Sequence, residues 1–217
     1  MFDFDGVLTT DKTGSVSTIR SLGRQTGLSE EALWDAFAPF NEQLLLGRTT
    51  HHAVWPEICM RLGRDLDPLV LVQAFESTPM RHDMLAYAAE LGSCYVTAVI
   101  TDNKSDRMRC LSERHSLASI FNLVLVSAEH GSGKEHTSIF ERAIELLGVE
   151  PEECVFVDNS ERSLVAPAAL GMNTVYFNEA ADTAQSLAQL LSSRYGLAAP
   201  RVTPNNSSKP TPLRGAA

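Results

Sequence analysis

The strongest constraint on this 217-residue chain is a set of four short apolar, β-branched runs, each followed by a helix-like stretch. The runs are 94–100, closing at Thr101; 123–126; 154–157, closing at Asp158; and 174–177. Between them, 106–117, 136–147 and 162–170 carry helical periodicity, with Gly148 and Gly171 placed as stops. Strand–helix alternation of this kind requires crossover connections. It predicts an α/β fold, a Rossmann-like parallel sheet covered by helices on both faces. Another strand-like element opens the chain, but only Met1 and Phe2 precede Asp3, where a central parallel strand usually offers about five apolar residues. We expect a shortened strand, or a true start upstream of Met1, with some loss of stability and an α-amino group close to the site.

The stretch from Asp11 to Pro79 follows a different pattern, helical and turn-rich, with nothing that resembles a parallel strand. Ser29 followed by Glu30 and Glu31 predicts an N-cap with an acidic first turn. Leu28 and Leu33 suit a hydrophobic staple, and Leu33, Trp34 and Phe37 an apolar face that Pro39 ends. Further helices are expected over 40–46, 49–62 and 67–75, with a kink or a later start forced by Pro56. The organisation expected is a Rossmann-like core of residues 1–11 and 81–195, a small all-helical cap of 12–80, and a disordered Pro/Ser/Asn/Gly/Ala-rich tail of 196–217. A last helix is expected over 183–195.

Composition narrows the partners. A formal net charge of -9 opposes general nucleic-acid binding, so no nucleic-acid partner is expected, and an anionic substrate must be drawn in by local cations. No apolar run reaches transmembrane length, and no signal peptide precedes the first motif, so we expect no membrane partner and a cytoplasmic location. The four cysteines lack CxxC spacing; Cys94 and Cys154 open strand-like runs and are expected as buried, reduced thiols.

The chemistry-bearing residues fall at strand ends. In Phe2-Asp3-Phe4-Asp5-Gly6, positions 3 and 5 of an extended strand share a side, and Gly6 allows a sharp turn after them. Two close carboxylates call for a cation, and Mg2+ suits hard oxygen ligands. Ligands of open parallel sheets bind beyond the carboxyl ends of the strands. Asp3 and Asp5, Thr101 with Asp102, Lys134 and Asp158 would therefore share one crevice. Each has a plainer alternative: solvated aspartates before a turn, or caps of the helices that follow Thr101 and Asp158. Gly131-Ser132-Gly133-Lys134 does not complete a P-loop, which needs glycine at Ala128 and Ser or Thr at Glu135.

Taken in order, these residues resemble the motifs of the haloacid dehalogenase superfamily. Phe2-Asp3-Phe4-Asp5-Gly6-Val7-Leu8-Thr9 is similar to its DxDG motif, Val99-Ile100-Thr101 to the second, Lys134 to the third, and Val155-Phe156-Val157-Asp158-Asn159 to the fourth. Asn159 departs from the pair of acids often found there. A helical insert between the first and second motifs resembles the phosphoglycolate phosphatase-like and β-phosphoglucomutase-like members. The resemblance implies a Mg2+-dependent phosphatase of a small phosphorylated metabolite. Asp3 would be the nucleophile, Asp5 the general acid and base, and Thr101, Asp102 and Lys134 would bind the phosphate. Asp3, Asp158 and the Asp5 carbonyl would hold Mg2+. Arg48 is a candidate to clasp a carboxylate or second phosphate of the substrate, with a solvated helix-end arginine as its alternative. His51 and His52 are expected at the surface, and Trp34, Phe37 and Trp55 in the cap interior. A phosphomutase and a catalytically weak binding protein remain alternatives at this point, and the oligomeric state stays open.

Overall fold

The computed structural model describes residues 1–197; the expected tail lies outside the described residues apart from its first two positions. A five-membered parallel array forms the centre. Strand β1 (Ala98–Thr101) pairs with β2 (Leu123–Val126), and β3 (Val155–Asp158) pairs with β4 (Asn173–Tyr176). The opening segment joins the two pairs. Phe2 bridges Val99 on one side and Val157 on the other, and Phe2 N and Asp3 N donate to Ala98 O and Val157 O, both at 2.8 Å. The array therefore runs β2, β1, opening segment, β3, β4. Its central member is as short as the sequence suggests, and it is held from both sides.

Alternation of side chains along these strands divides the core in two. Phe2, Val99, Val157 and Val175 point to one face, against Met84, Leu91, Met108, Leu187 and Leu191. Ile100, Leu125, Cys154 and Phe156 point to the other, against Ile139, Phe140, Ala143 and Ala166. The first face is covered by α6 (His82–Gly92), α7 (Ser105–Arg114) and α11 (Ala184–Tyr195). The second is covered by α9 (Ser138–Leu147) and α10 (Val165–Ala169).

The run from Cys94 is strand only from Ala98, because α6 extends to Gly92 and a turn, with Cys94 N bonded to Leu91 O at 3.0 Å, must bring the chain back to the sheet. Cys94 is consequently exposed, whereas Cys154 is buried. Helix α6 itself was not expected; its apolar residues Met84, Leu85, Ala88 and Leu91 have helical spacing, but no side chain caps its start. The helix expected over 49–62 starts at His51 and runs to Leu62 with Pro56 inside it. His52, whose carbonyl loses its partner to the proline, is exposed with Pro56, so water can satisfy that oxygen.

Residues 14–76 form helices α1 (Gly14–Thr26), α2 (Glu30–Phe37), α3 (Asn41–Leu45), α4 (His51–Leu62) and α5 (Leu69–Glu76) around a separate apolar cluster, in which Leu22, Leu33, Ile58 and Ala74 are fully buried. Ser29 caps α2 by accepting from Ala32 N at 3.2 Å. Phe37 and Trp55 lie in this cluster, with Trp55 Nε1 donating to Leu66 O at 2.8 Å. Trp34 does not: it is 40% exposed. A short α8 (Ser127–His130) follows β2 and abuts α3; Ser127 Oγ donates to Leu45 O at 2.8 Å. Gly47, at φ 66°, approaches the Ala128 carbonyl so closely that a β-carbon would overlap it. No described helix is long and apolar enough to cross a membrane.

Candidate active site

The strand ends open into a cleft of about 460 Å³ lined by Asp3, Asp5, Thr101, Asp102, Lys134 and Asp158, together with Trp34 and Asn41 from the helical block. Asp3 is placed by the central segment, and Thr101 and Asp158 by the last positions of β1 and β3. Lys134 comes from the turn that precedes α9. Asp102 fixes that turn, since Lys134 N donates to its Oδ1 at 2.9 Å. Lys134 Nζ then bridges the two carboxylates, 2.8 Å from Asp3 Oδ1 and 2.6 Å from Asp158 Oδ2. The other Asp158 oxygen accepts from Ser160 N at 2.7 Å.

Burial governs the electrostatics of this floor. It raises the Asp3 carboxyl to about 7 although Lys134 pulls it down, and the charges of Asp158 and Asp5 add to the rise. Burial opposes the Lys134 ammonium too, but Asp3, Asp158 and Asp102 outweigh it and hold its pKa above that of an ordinary lysine. Asp102 is pushed up, chiefly by desolvation.

Asp5 has different company. Both of its oxygens are gripped by Arg107, Nη1 to Oδ2 at 2.8 Å and Nη2 to Oδ1 at 2.9 Å, and Asn103 Nδ2 donates to Oδ2 at 2.8 Å. Arg107 is 1% exposed, and its guanidinium fits only because residue 14 is glycine; a β-carbon there would overlap it. Gly6, at φ 85°, serves twice. It turns the chain after Asp5 in a conformation that favours glycine, and it makes room for the Asn159 amide that packs on it. Asn159 thus fills space over the turn where a second acid stood in the resemblance.

The first turn of α7 faces the helical block. Lys104 Nζ donates to Ser15 Oγ at 2.9 Å. Asp106 receives His51 Nδ1 at 2.8 and 2.9 Å and His51 N at 3.2 Å. Burial works against the Asp106 carboxylate, but these His51 bonds prevail and hold its pKa below the usual range. His51, expected at the surface, is therefore buried, because Asp106 and the Phe37 and Phe75 rings enclose it. His52 is exposed.

Arg48 stands apart from the cleft. It is exposed and 3.8 Å from Glu42, because Gly47 directs the chain against Ala128 and leaves the arginine pointing to solvent. The residues that sequence reading passed over are Asn103, Lys104, Arg107 and the Asp106–His51 pair. A legible signal existed for two of them: Lys104 and Arg107 are cations at a helix start, where the macrodipole favours anions.

The donor set suits a hard divalent cation. No cluster of three or more His, Cys, Asp or Glu side chains placed to hold a metal occurs among the described residues. Mg2+ needs less than that: one or two carboxylates, further oxygens and water suffice. Asp3, Asp158 and the Asp5 carbonyl are oxygens only, and Lys134 supplies a single positive charge to two buried carboxylates.

The chain belongs to the haloacid dehalogenase-like hydrolases, whose family model matches residues 1–171. It is 27% identical over 166 residues to the N-acylneuraminate-9-phosphatase of Rattus norvegicus, covering 71% of this chain and 64% of that protein. It is 32% identical over 84 residues to the glyceraldehyde 3-phosphate phosphatase of Pyrococcus furiosus, covering 38% of this chain and 35% of that protein. The chain thus spans less than two thirds of the length of either relative. Its fold matches that of a HAD family enzyme from Bacteroides thetaiotaomicron with a TM-score of 0.71 at 18% identity, over 86% of this chain and 96% of that one. The same enzyme has been solved with magnesium and inorganic phosphate, and that structure aligns with a TM-score of 0.68 at 20% identity, over 85% of this chain and 96% of that one.

Proposed function

We propose that the protein is a Mg2+-dependent phosphatase that hydrolyses a small phosphorylated metabolite through an aspartyl-phosphate on Asp3. The observation that carries this reading is the Lys134 ammonium bridging the Asp3 and Asp158 carboxylates at the strand ends, inside a cleft large enough for a phosphomonoester. Family membership and the phosphatase names of two relatives support it.

In this reading Asp3 attacks phosphorus in line with the leaving alcohol, and Thr101 and Lys134 receive the transferring oxygens. Asp3 and Asp158 with the Asp5 carbonyl would hold Mg2+, which when bound supplies charge neutralisation at the phosphoryl group. Asp5 is the candidate to protonate the leaving oxygen and then activate water. It can do so only after one of its oxygens leaves Arg107, and Oδ1 is the less encumbered, with Thr9 Oγ1 at 3.4 Å as its other contact. Residues 12–80 act as the cap, placing Trp34 and Asn41 over the cleft.

Phosphate release from p-nitrophenyl phosphate, measured with Mg2+ and again with EDTA, tests the proposal. Asp3→Asn should lower kcat by a factor on the order of 10³ or more, since a carboxamide neither attacks phosphorus nor holds the ion. Wild-type rates from Asp3→Asn would overturn it.

A further inference from the structure

The chain crosses between the sheet and the helical block twice, at 9–13 and at 77–81, and the two crossings lie side by side. Thr9 and Met80 form an antiparallel bridge, Thr10 N donates to Pro79 O at 2.9 Å, and Arg81 N donates to Leu8 O at 2.9 Å. So narrow a ribbon is by itself a hinge, about which the whole block is able to swing. Arg81 sits on that ribbon, and nothing in the chemistry above uses it.

The half-buried guanidinium of Arg81 spreads over three main-chain carbonyls from two places. Nε donates to Thr9 O at 3.2 Å on the first crossing, while Nη1 donates to Asp182 O at 3.2 Å and Nη2 to Glu179 O in the loop after β4. The Phe177 ring lies beneath it, with its centre 5.3 Å from the guanidinium carbon. Among the described residues no carboxylate lies within 4.0 Å of its side-chain nitrogens, so these carbonyls are its polar partners. The loop they come from is a firm abutment. Asp182 N donates to Asn178 O at 2.8 Å, Asn178 N to Asp182 Oδ2 at 2.8 Å and Ala180 N to Asn178 Oδ1 at 3.0 Å, and Thr183 caps the helix α11 that follows. On the other side Thr9 leads straight to the opening motif: it is fully buried, and its Oγ1 accepts from Gly6 N at 3.0 Å and lies 3.4 Å from Asp5 Oδ1. A second link to the loop, Lys12 to Glu179 at 3.9 Å, involves an exposed lysine and is weak by comparison.

We propose that Arg81 is a positioning residue: it staples the hinge ribbon to the loop at 178–182, so that the helical block, with Trp34 and Asn41, is held at one height over the cleft. Arginine suits the task. Its planar fork meets several acceptors at once, whereas a lysine ammonium is a point donor on a flexible stem. This role needs no particular substrate, and only the kinetic half of its test rests on the phosphatase reading.

Arg81→Met keeps a stem over Phe177 and removes the donors. Acrylamide quenching of Trp34, the exposed one of the two tryptophans, reads the position of the block without any substrate. Its quenching constant should rise roughly 1.5-fold in Arg81→Met, since an indole 40% exposed at the cleft has room to gain when the block loosens. KM for p-nitrophenyl phosphate should rise roughly threefold to tenfold with kcat changed less than about twofold, because a block in place only part of the time lowers the apparent affinity by that fraction. Arg81→Lys should fall between the wild type and Arg81→Met on both readouts. Asn178→Ala, which loosens the abutment, should move both in the same direction, and its effect on KM should not add to that of Arg81→Met. A lower melting temperature with quenching and KM unmoved would mean a plain structural role and overturn the proposal. So would a loss confined to kcat, or wild-type values from Arg81→Lys. If p-nitrophenyl phosphate is not hydrolysed at all, the phosphatase reading fails separately and the quenching constant alone decides. Should Arg81→Met not fold, Arg81→Lys and Asn178→Ala are scored instead, and wild-type quenching in both overturns it.

Discussion

The two sides of the cleft pair their charges differently. On the floor, at the strand ends, Asp3 and Asp158 share the single ammonium of Lys134, so carboxylates outnumber cations. On the wall, at the start of α7, the charges are matched: Arg107 is clasped by Asp5, Asp106 holds His51, and Lys104 meets the Ser15 hydroxyl. The contrast teaches that the two aspartates of the opening motif, two residues apart, are not equivalent. Asp3 belongs to the carboxylate-rich floor, and Asp5 belongs to the α7 wall, where its carboxylate keeps a buried arginine in place.

The sharpest way to break this contrast is to remove the wall's ion pair. Arg107→Met leaves the Asp5 carboxylate enclosed with only Asn103 and Thr9 for company, and should cost about 3–5 kcal/mol of folding free energy, the usual range for stranding a buried charge. Urea titration of the variant measures this; a loss under about 1 kcal/mol would mean that the pair does not hold the wall.

The floor should respond to pH in a direction set by Asp3. In the metal-free protein its pKa is raised to about 7, against about 3.9 for an unfolded aspartate. The folded chain therefore binds the extra proton between those values. The stability contributed by this group is full below about pH 4 and is lost as pH rises through about 7. Melting temperature in EDTA should fall over that window for the wild type and fall less for Asp3→Asn. Mg2+ should flatten the wild-type slope, because it binds the ionised form. Parallel slopes for wild type and Asp3→Asn would contradict the assignment.

A smaller effect is expected where the helical block meets α7. His51→Ala removes two contacts to Asp106 and leaves that carboxylate short of partners, which should cost about 1–3 kcal/mol and raise KM more than it lowers kcat. Calorimetry and steady-state kinetics on one preparation read both. Smallest of all, Arg48→Ala should change stability by no more than about 0.5 kcal/mol and leave KM unchanged, since its side chain is exposed and its ion-pair partner Glu42 is exposed too. A raised KM would return Arg48 to the substrate.

The sequence was most legible where chemistry depends on order along the chain. Asp3, Thr101 and Asp158 each close a strand, and strands of a parallel sheet end on the same edge, so their meeting in one cleft follows from the topology once the βαβ alternation is read. Lys134 could be placed near them by its position after β2. The helical character of 14–76 was legible from its caps and apolar spacing, as Ser29 shows.

Only the packed structure decided which charges pair. Arg107 reaches Asp5 across 102 positions, and His51 reaches Asp106 across 55. No local rule selects such partners, because an ion pair depends on where side chains converge and on how much water is excluded there. The same reason explains Arg48 and Lys104: both are basic residues near helix starts in the sequence, but packing sent the first to solvent and set the second, half-buried, in the wall of the cleft. Residue type and spacing thus determined that carboxylates, a hydroxyl and a lysine would gather at one sheet edge. Tertiary burial determined which charges would pair across the chain.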